Sequence, residues 1–205
     1  YLHVLEVPQP PQPGLMYGTL IHSLIQIYYT QRAQGKVNAK VLHEMFDAGW
    51  RSDGFMSKGQ ELRRKQQGHT TLEQFLQRSN GNDRVPSRME QPFEFELPDI
   101  KLRVRGRIDA VFEDNGVEIR DYKTSQVDDQ KKADKNAKDS LQLATYALAW
   151  EMMTEVKKQK LVLDYVETGI EGATTPTDKS KEQLLNKIQQ VAEGIRLGDF
   201  RPKGN

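Results

Sequence analysis

The sequence has no cysteine, which excludes disulfides, thiolate metal sites and cysteine nucleophiles from its 205 residues. That absence fits a reducing, cytoplasmic setting. There is no apolar run approaching the roughly 18 residues that a membrane-spanning helix needs, and no signal peptide is visible. An excess of one charge is missing as well: 30 Lys and Arg stand against 29 Asp and Glu, a net charge of +1. Without a whole-molecule basic field, any contact with nucleic acid has to come from a local strip of cations. What the chain does have is length and polarity. A chain of this size buries roughly 70% of its unfolded surface and needs no staples. With 36% hydrophobic and 29% charged residues it reads as a soluble, polar globule. It starts at Tyr1 rather than methionine and stops abruptly after Pro202-Lys203-Gly204-Asn205, as expected of a piece excised from a larger protein.

Pro8, Pro10, Pro11 and Pro13 predict an extended opening, because proline is not tolerated inside a helix. A helix is expected from Gly18 to about Arg32, where Ile21, Leu24, Ile25 and Tyr28 recur at the spacing of a buried stripe. Further helices are expected over 39–50 and about 58–77, and a loop over 79–86. The pattern then changes to alternation. Residues 91–97 read as a strand carrying Phe93, Phe95 and Leu97 on one side. Residues 101–112 read as a second strand. It has Leu102, Val104, Ile108, Ala110 and Phe112 on one face and Arg103, Arg105, Arg107 and Asp109 on the other. Asp114-Asn115-Gly116 is a turn signal, and 117–123 the next strand. Residues 128–139 read as a flexible, solvated loop in which Lys131, Lys132, Lys135 and Lys138 mix with acids. A helix over 140–155 with Leu141, Ala144, Leu148 and Met152 as its stripe, a strand over 161–168 and a helix over 179–197 complete the chain. Helices, three strands, helix, strand, helix predicts an α/β fold: a central mixed β-sheet flanked by helices, with an N-terminal helical lobe.

The chemistry concentrates in Gly106-Arg107-Ile108-Asp109 and Asp121-Tyr122-Lys123. Strand residues two apart share a face, so Asp121 and Lys123 point the same way. A three-residue hairpin loop, Asp114-Asn115-Gly116, brings Asp109 opposite Asp121, and such loops favour a left-handed last residue, which Gly116 supplies. Two carboxylates held that close repel unless a cation sits between them. Mg²⁺ is commonly held by one or two carboxylates together with water and substrate phosphate. Asp-x-Lys alone is more often a solvated ion pair worth under about 1 kcal/mol; Asp109 and the favourable loop shift the balance towards a site.

Gly106-x-Ile-Asp109, Asp121-Tyr122-Lys123-Thr124-Ser125, Gln142-x-x-x-Tyr146 and Gly18-Thr19-Leu20-Ile21-His22, in that spatial logic, resemble the motifs of the RecB-type branch of the PD-(D/E)XK nuclease superfamily. The resemblance runs from Gly18 to Phe200 and implies a restriction-endonuclease-like α/β fold. It implies a single nuclease domain over 1–205, with a helical lobe over about 18–80 and a catalytic core over about 88–200. It implies metal ligation by His22, Asp109, Asp121 and the Tyr122 carbonyl, catalysis by Lys123 with both aspartates, and substrate positioning by Gln142 and Tyr146. The implied cofactor is Mg²⁺ or Mn²⁺, and the implied partners are DNA, single-stranded or at ends, and a helicase in cis or in trans. The implied context is repair or recombination, with exonuclease action among the expected activities. Some RecB-type nucleases also carry an iron–sulfur clip; with no cysteine in this chain, such a cluster is an expectation for a full-length protein only.

Read from its residues alone, His22 would pass as an ordinary helix residue, and Gln142 and Tyr146, four apart, as a packing face. Arg105 and Arg107, on the face expected for Asp109, would suit a phosphate backbone as well as they suit plain solvation. Glu90, Glu94 and Glu96 precede the hairpin and read as an exposed edge-strand face; the resemblance to the nucleases implies an extra carboxylate from this region, with Glu94 the candidate. His3, His43 and His69 show no partner spacing and read as structural or exposed. Two alternatives stay open beside the nuclease: a catalytically idle DNA- or protein-binding module of a helicase–nuclease assembly, and a metal-dependent enzyme acting on another phosphate ester.

Overall fold

A computed structural model of the chain describes residues 12–198 and divides them into two compact units. Pro8, Pro10, Pro11, His3 and the C-terminal residues 199–205 lie outside the described residues.

The first unit is built on α1 (Pro13–Ala33), α2 (Ala39–Gly49) and α3 (Lys58–Asn80), joined by residues 123–126 and 166–169. Helix α1 starts five residues earlier than the spacing predicted, with Pro13 in its first turn. Proline is tolerated there because the first N–H groups of a helix have no internal partner. Asn38 caps α2 by accepting from the Val41 N–H, and Ser57 caps α3 by accepting from Gln60. Ile21, Leu24, Ile25 and Tyr28 of α1 are buried, as are Leu42 and Phe46 of α2 and Leu72, Phe75 and Leu76 of α3. Gly68 admits the Phe46 ring, since a β-carbon there would stand 2.3 Å from it. His43 and His69, expected to be unremarkable, pair across α2 and α3: their Nδ1 atoms are 2.8 Å apart, and His69 Nε2 lies 3.1 Å from Asp47.

The second unit carries β1 (Arg88–Leu97), β2 (Leu102–Phe112), β3 (Val117–Lys123), α4 (Gln130–Asp139), α5 (Leu141–Thr154), β4 (Gln159–Tyr165), β5 (Ile170–Thr174) and α6 (Asp178–Arg196). Its sheet has the order β1-β2-β3-β4-β5, with β1–β2, β2–β3 and β4–β5 antiparallel. The central pair is parallel: Lys160, at the start of β4, bonds Glu118, at the start of β3, and Val166, just past β4, bonds Lys123, at the end of β3. Parallel neighbours need a long crossover, which α4 and α5 provide. The core on the α5 side joins Phe93, Phe95, Ile108, Val111 and Ile119 to Leu143, Tyr146, Ala147 and Trp150.

Three expectations change here. Residues 130–139 form α4 rather than a loop. Asp129 caps it by accepting from the Lys132 N–H, and Ala133 and Ala137, four apart, give it a narrow buried edge. That edge lies against Gly172 of β5, where a β-carbon would be 2.1 Å from the Ala133 carbonyl oxygen. Of the predicted α5 stripe, Leu148 is buried and Ala144 packs against the core, but Leu141 and Met152 are exposed, and Leu143, Tyr146, Ala147 and Trp150 are buried instead. The last strand region splits into a hairpin, β4 and β5, turned at Gly169 with φ of 73°.

The opposite face of the sheet is organised by Arg120. Its guanidinium bonds Glu118 and Asp164 at 2.8 Å each and Glu171 at 2.5 Å, and lies over the Phe112 ring. Burial disfavours the Glu118 carboxylate, but the Arg120 charge and the bonds from Arg120 and Lys160 overcome it and hold its pKa at about 2.

Candidate functional site

The β2–β3 hairpin has the register expected from its loop: Phe112 faces Glu118, Val111 faces Ile119 and Ala110 faces Arg120. Gly116 has φ of 85°, the left-handed conformation that such a loop demands. One more step along this register sets Asp109 opposite Asp121. On the other side of β2, Met89 faces Ala110 and Gln91 faces Ile108, so Glu90 falls opposite Asp109. The continued register therefore puts the backbones of Glu90, Asp109 and Asp121 level on three adjacent strands. The carboxylate oxygens of Glu90 and Asp109 lie within 4.8 Å of each other. Asp109 is 8% exposed and Asp121 1%. The Tyr122 backbone N–H donates to Asp109 Oδ2 at 3.0 Å, which fixes that side chain against β3.

Glu90 reaches this level by an unusual route. Its φ is 49°, a left-handed conformation inside a strand, which for a non-glycine residue costs roughly 1–2 kcal/mol. The alternation of both strands changes phase around it. In the first part of β2 the even residues turn to the α5 side: a β-carbon on Gly106 would meet the Phe93 ring at 2.5 Å, and Phe93 packs edge-on against Tyr146 of α5. Beyond this level the odd residue Val111 joins that same core. Asp109 follows Val111, and its charge acts on the Tyr146 phenol. The expectation that Arg103, Arg105 and Arg107 share the face of Asp109 is thus corrected by the phase change.

Those arginines are exposed, and Arg103 and Arg107 are met by glutamates of β1. Arg103 bonds Glu96 at 2.9 Å and lies 3.4 Å from Glu94, and Arg107 lies 3.3 Å from Glu90. Glu94 is accordingly a surface partner of arginine, and Glu90 is the glutamate that joins the aspartates. A sequence reading could have found it only by noting that Glu90 sits as far before Phe93 as Gly106 sits before Asp109.

On α5, Gln142 Nε2 donates to the Tyr146 hydroxyl at 2.7 Å. Burial, and after it the Asp109 charge, push the Tyr146 pKa upward, with Asp121 and Glu90 adding to the effect. Tyr146 is therefore a neutral phenol, able to donate a hydrogen bond, at any ordinary pH. His22 is a half-buried residue of α1, and Lys123 is the half-buried last residue of β3; both belong to the first unit.

The profile of the PD-(D/E)XK nuclease superfamily matches residues 1–205. The "Gene 69 protein" of Mycobacterium phage L5 is 38% identical over 122 residues, 56% of this chain and 38% of that protein. The chain thus corresponds to less than two-fifths of that curated relative's length. The crystal structure of a "Putative exonuclease" from Eubacterium rectale superposes with a TM-score of 0.55 at 13% identity, covering 96% of this chain and 72% of that one. At that identity the likeness speaks for the fold, an α/β arrangement shared with a nuclease-like protein. No helix among the described residues is long and apolar enough to cross a membrane.

Proposed function

Because the chain belongs to the PD-(D/E)XK nuclease superfamily, we propose that it is a divalent-metal-dependent deoxyribonuclease. In this reading it hydrolyses phosphodiester bonds of single-stranded DNA or DNA ends during repair or recombination, beside a helicase in cis or in trans. The observation that carries this reading is the row of Glu90, Asp109 and Asp121 across β1, β2 and β3.

Such a row is costly without a counter-charge, because like charges side by side on neighbouring strands repel. Its donors are oxygens on a rigid sheet, which fits Mg²⁺ or Mn²⁺ better than a soft metal. Asp109 and Asp121 would hold the ion, with Glu90 and the Tyr122 carbonyl beside them, and His22 is assigned to it through the motif on α1. An ion there supplies Lewis-acid polarisation of the scissile phosphate and a more acidic attacking water. Lys123, two residues beyond Asp121, presents an ammonium to the charge that grows on the phosphoryl oxygens. Tyr146, oriented by Gln142, donates a hydrogen bond towards the same region, and the exposed Arg105 and Arg107, off the face of Asp109, are left to meet phosphates that run beyond the acid row.

The test is degradation of single-stranded DNA by the purified chain with Mn²⁺ or Mg²⁺ against chelator, together with Asp121→Asn and Lys123→Met. Metal-dependent cleavage by the wild type and its loss in both variants is the expected result. Cleavage that persists unchanged in both variants would overturn the assignment.

A further inference from the structure

The chain leaves β3 at Lys123, and residues 123–126 join residues 166–169 in the first unit. Both segments follow neighbouring parallel strands, at the carboxyl ends where open α/β sheets place their ligands. They are tied together by side chains that the proposed chemistry does not use. The Val166 N–H donates to the Lys123 carbonyl at 3.0 Å. The next residue, Glu167, has a side chain with 0% exposure and meets Arg64 of α3 at 2.8 Å. Its other oxygen accepts from Gln126 Nε2 at 3.1 Å. Arg64 lies over the Tyr17 ring at 3.8 Å, and the Tyr17 hydroxyl donates to Thr71 at 3.3 Å. Helix α1 passes so near that a β-carbon on Gly18 would stand 3.2 Å from Thr124 Oγ1.

A buried ion pair is a poor source of stability, since desolvation offsets most of its attraction and apolar replacements are often neutral or better. What it does provide is one favoured geometry. That matters at this place. A lysine side chain carries about 2 kcal/mol of rotamer entropy, and a displacement of about 1 Å at a reacting centre can lower a rate by about 10²-fold. The backbone that delivers such a group has to be rigid where it leaves the sheet.

We propose that Glu167, held by Arg64 and gripping Gln126, is a positioning residue that fixes the backbone of Lys123 for phosphodiester hydrolysis. The proposal rests on the nuclease reading. Gln126 is the better probe, because it is exposed and its removal leaves Glu167 still paired with Arg64. The experiment compares wild type, Lys123→Met, Gln126→Ala, Gln126→Lys and Glu167→Gln. It measures kcat and KM on single-stranded DNA, Mn²⁺ affinity by calorimetry, the melting midpoint, and amide exchange over residues 123–126. Gln126→Ala is expected to lower kcat about tenfold, to leave KM, Mn²⁺ affinity and midpoint unchanged, and to speed exchange in that segment alone. Glu167→Gln is expected to lower kcat in the same way. Gln126→Lys, which can still donate to Glu167, is expected to recover most of the rate. If Gln126→Ala and Glu167→Gln keep the wild-type kcat per folded molecule, with or without a lower midpoint, the positioning role is overturned while the contrast with Lys123→Met still supports the nuclease. If the wild type shows no metal-dependent cleavage, the nuclease reading fails and the proposal fails with it.

Discussion

Replacing Glu90 with glutamine should make the protein more stable in chelator and less responsive to metal. The carboxylate oxygens of Glu90 and Asp109 lie within 4.8 Å. At an effective dielectric constant of about 20, unit charges at that separation repel by roughly 3.5 kcal/mol. Part of this is already offset by Arg107, 3.3 Å from Glu90, and part by solvent, since the Glu90 side chain is 24% exposed. A net gain of about 1–2 kcal/mol remains for Glu90→Gln, a rise of roughly 2–8 °C in the melting midpoint for a chain of this size. Glu90→Gly separates charge from backbone. It removes the same carboxylate and also relieves the left-handed φ of 49°. That relief is worth roughly 1–2 kcal/mol, less about 0.5–1 kcal/mol for the entropy of glycine. The assay is urea unfolding in chelator and again in excess Mn²⁺. A ligand at about 100 times its Kd stabilises a native state by about 2.7 kcal/mol, and wild type should show an increment of that order while Glu90→Gln shows less. The reasoning is refuted if Glu90→Gln is less stable than wild type in chelator, or if Mn²⁺ stabilises both equally. Either result would mean that the three carboxylates do not act as one cation-binding row.

Arg120→Met removes the cation that Glu118, Asp164 and Glu171 share, leaving Lys160 on Glu118; urea unfolding should register a loss of about 3–5 kcal/mol. The acid limb of stability carries the same network. The folded-state pKa of Glu118 is lowered from 4.5 to about 2, so its contribution is complete above pH 4.5 and is lost as pH falls towards 2. Circular dichroism through that window should show wild type losing stability more steeply than Glu118→Gln. Gly172→Ala drives a β-carbon to 2.1 Å from the Ala133 carbonyl oxygen; the cost should be at least about 1–3 kcal/mol, with faster amide exchange in α4 as its signature. Tyr146→Phe removes the hydroxyl that Gln142 holds at 2.7 Å; under the nuclease reading kcat should fall by about 10²-fold or less with the midpoint unchanged, and an unaltered kcat would remove Tyr146 from the site.

How much of this could be read in advance depended on whether the signal was local. The hairpin register was legible because it lives in three consecutive residues, and Gly116 alone selects the loop type. The α1 stripe was legible because Ile21, Leu24, Ile25 and Tyr28 repeat at helical spacing. Helix α4 was hidden by its composition, as only Ala133 and Ala137 mark its buried edge and they do so weakly. Helix α5 was phased only in part, Leu148 correctly and Leu141 and Met152 not, for the opposite reason: it is apolar nearly all round, so spacing could not choose between stripes. Arg120 finds Asp164 and Glu171 across 44 and 51 residues of sequence, a distance at which no local pattern operates.

Glu90 was illegible for a deeper reason. Sequence periodicity assumes that a strand keeps one phase, and β1 and β2 keep theirs only up to the level of Glu90 and Asp109. With an unbroken phase, a strand that turns Phe93 into the core would turn Glu90 out to solvent, and one that buries Val104 would leave Asp109 among the exposed arginines. The left-handed residue resolves this conflict by letting the same two strands carry a packed aromatic face at one end and a row of carboxylates at the other. Local rules are expected to fail where function is built, because strain tolerated there is offset by packing elsewhere. The break in alternation thus coincides with the acid row, and that coincidence is itself an argument that the row was selected for its chemistry.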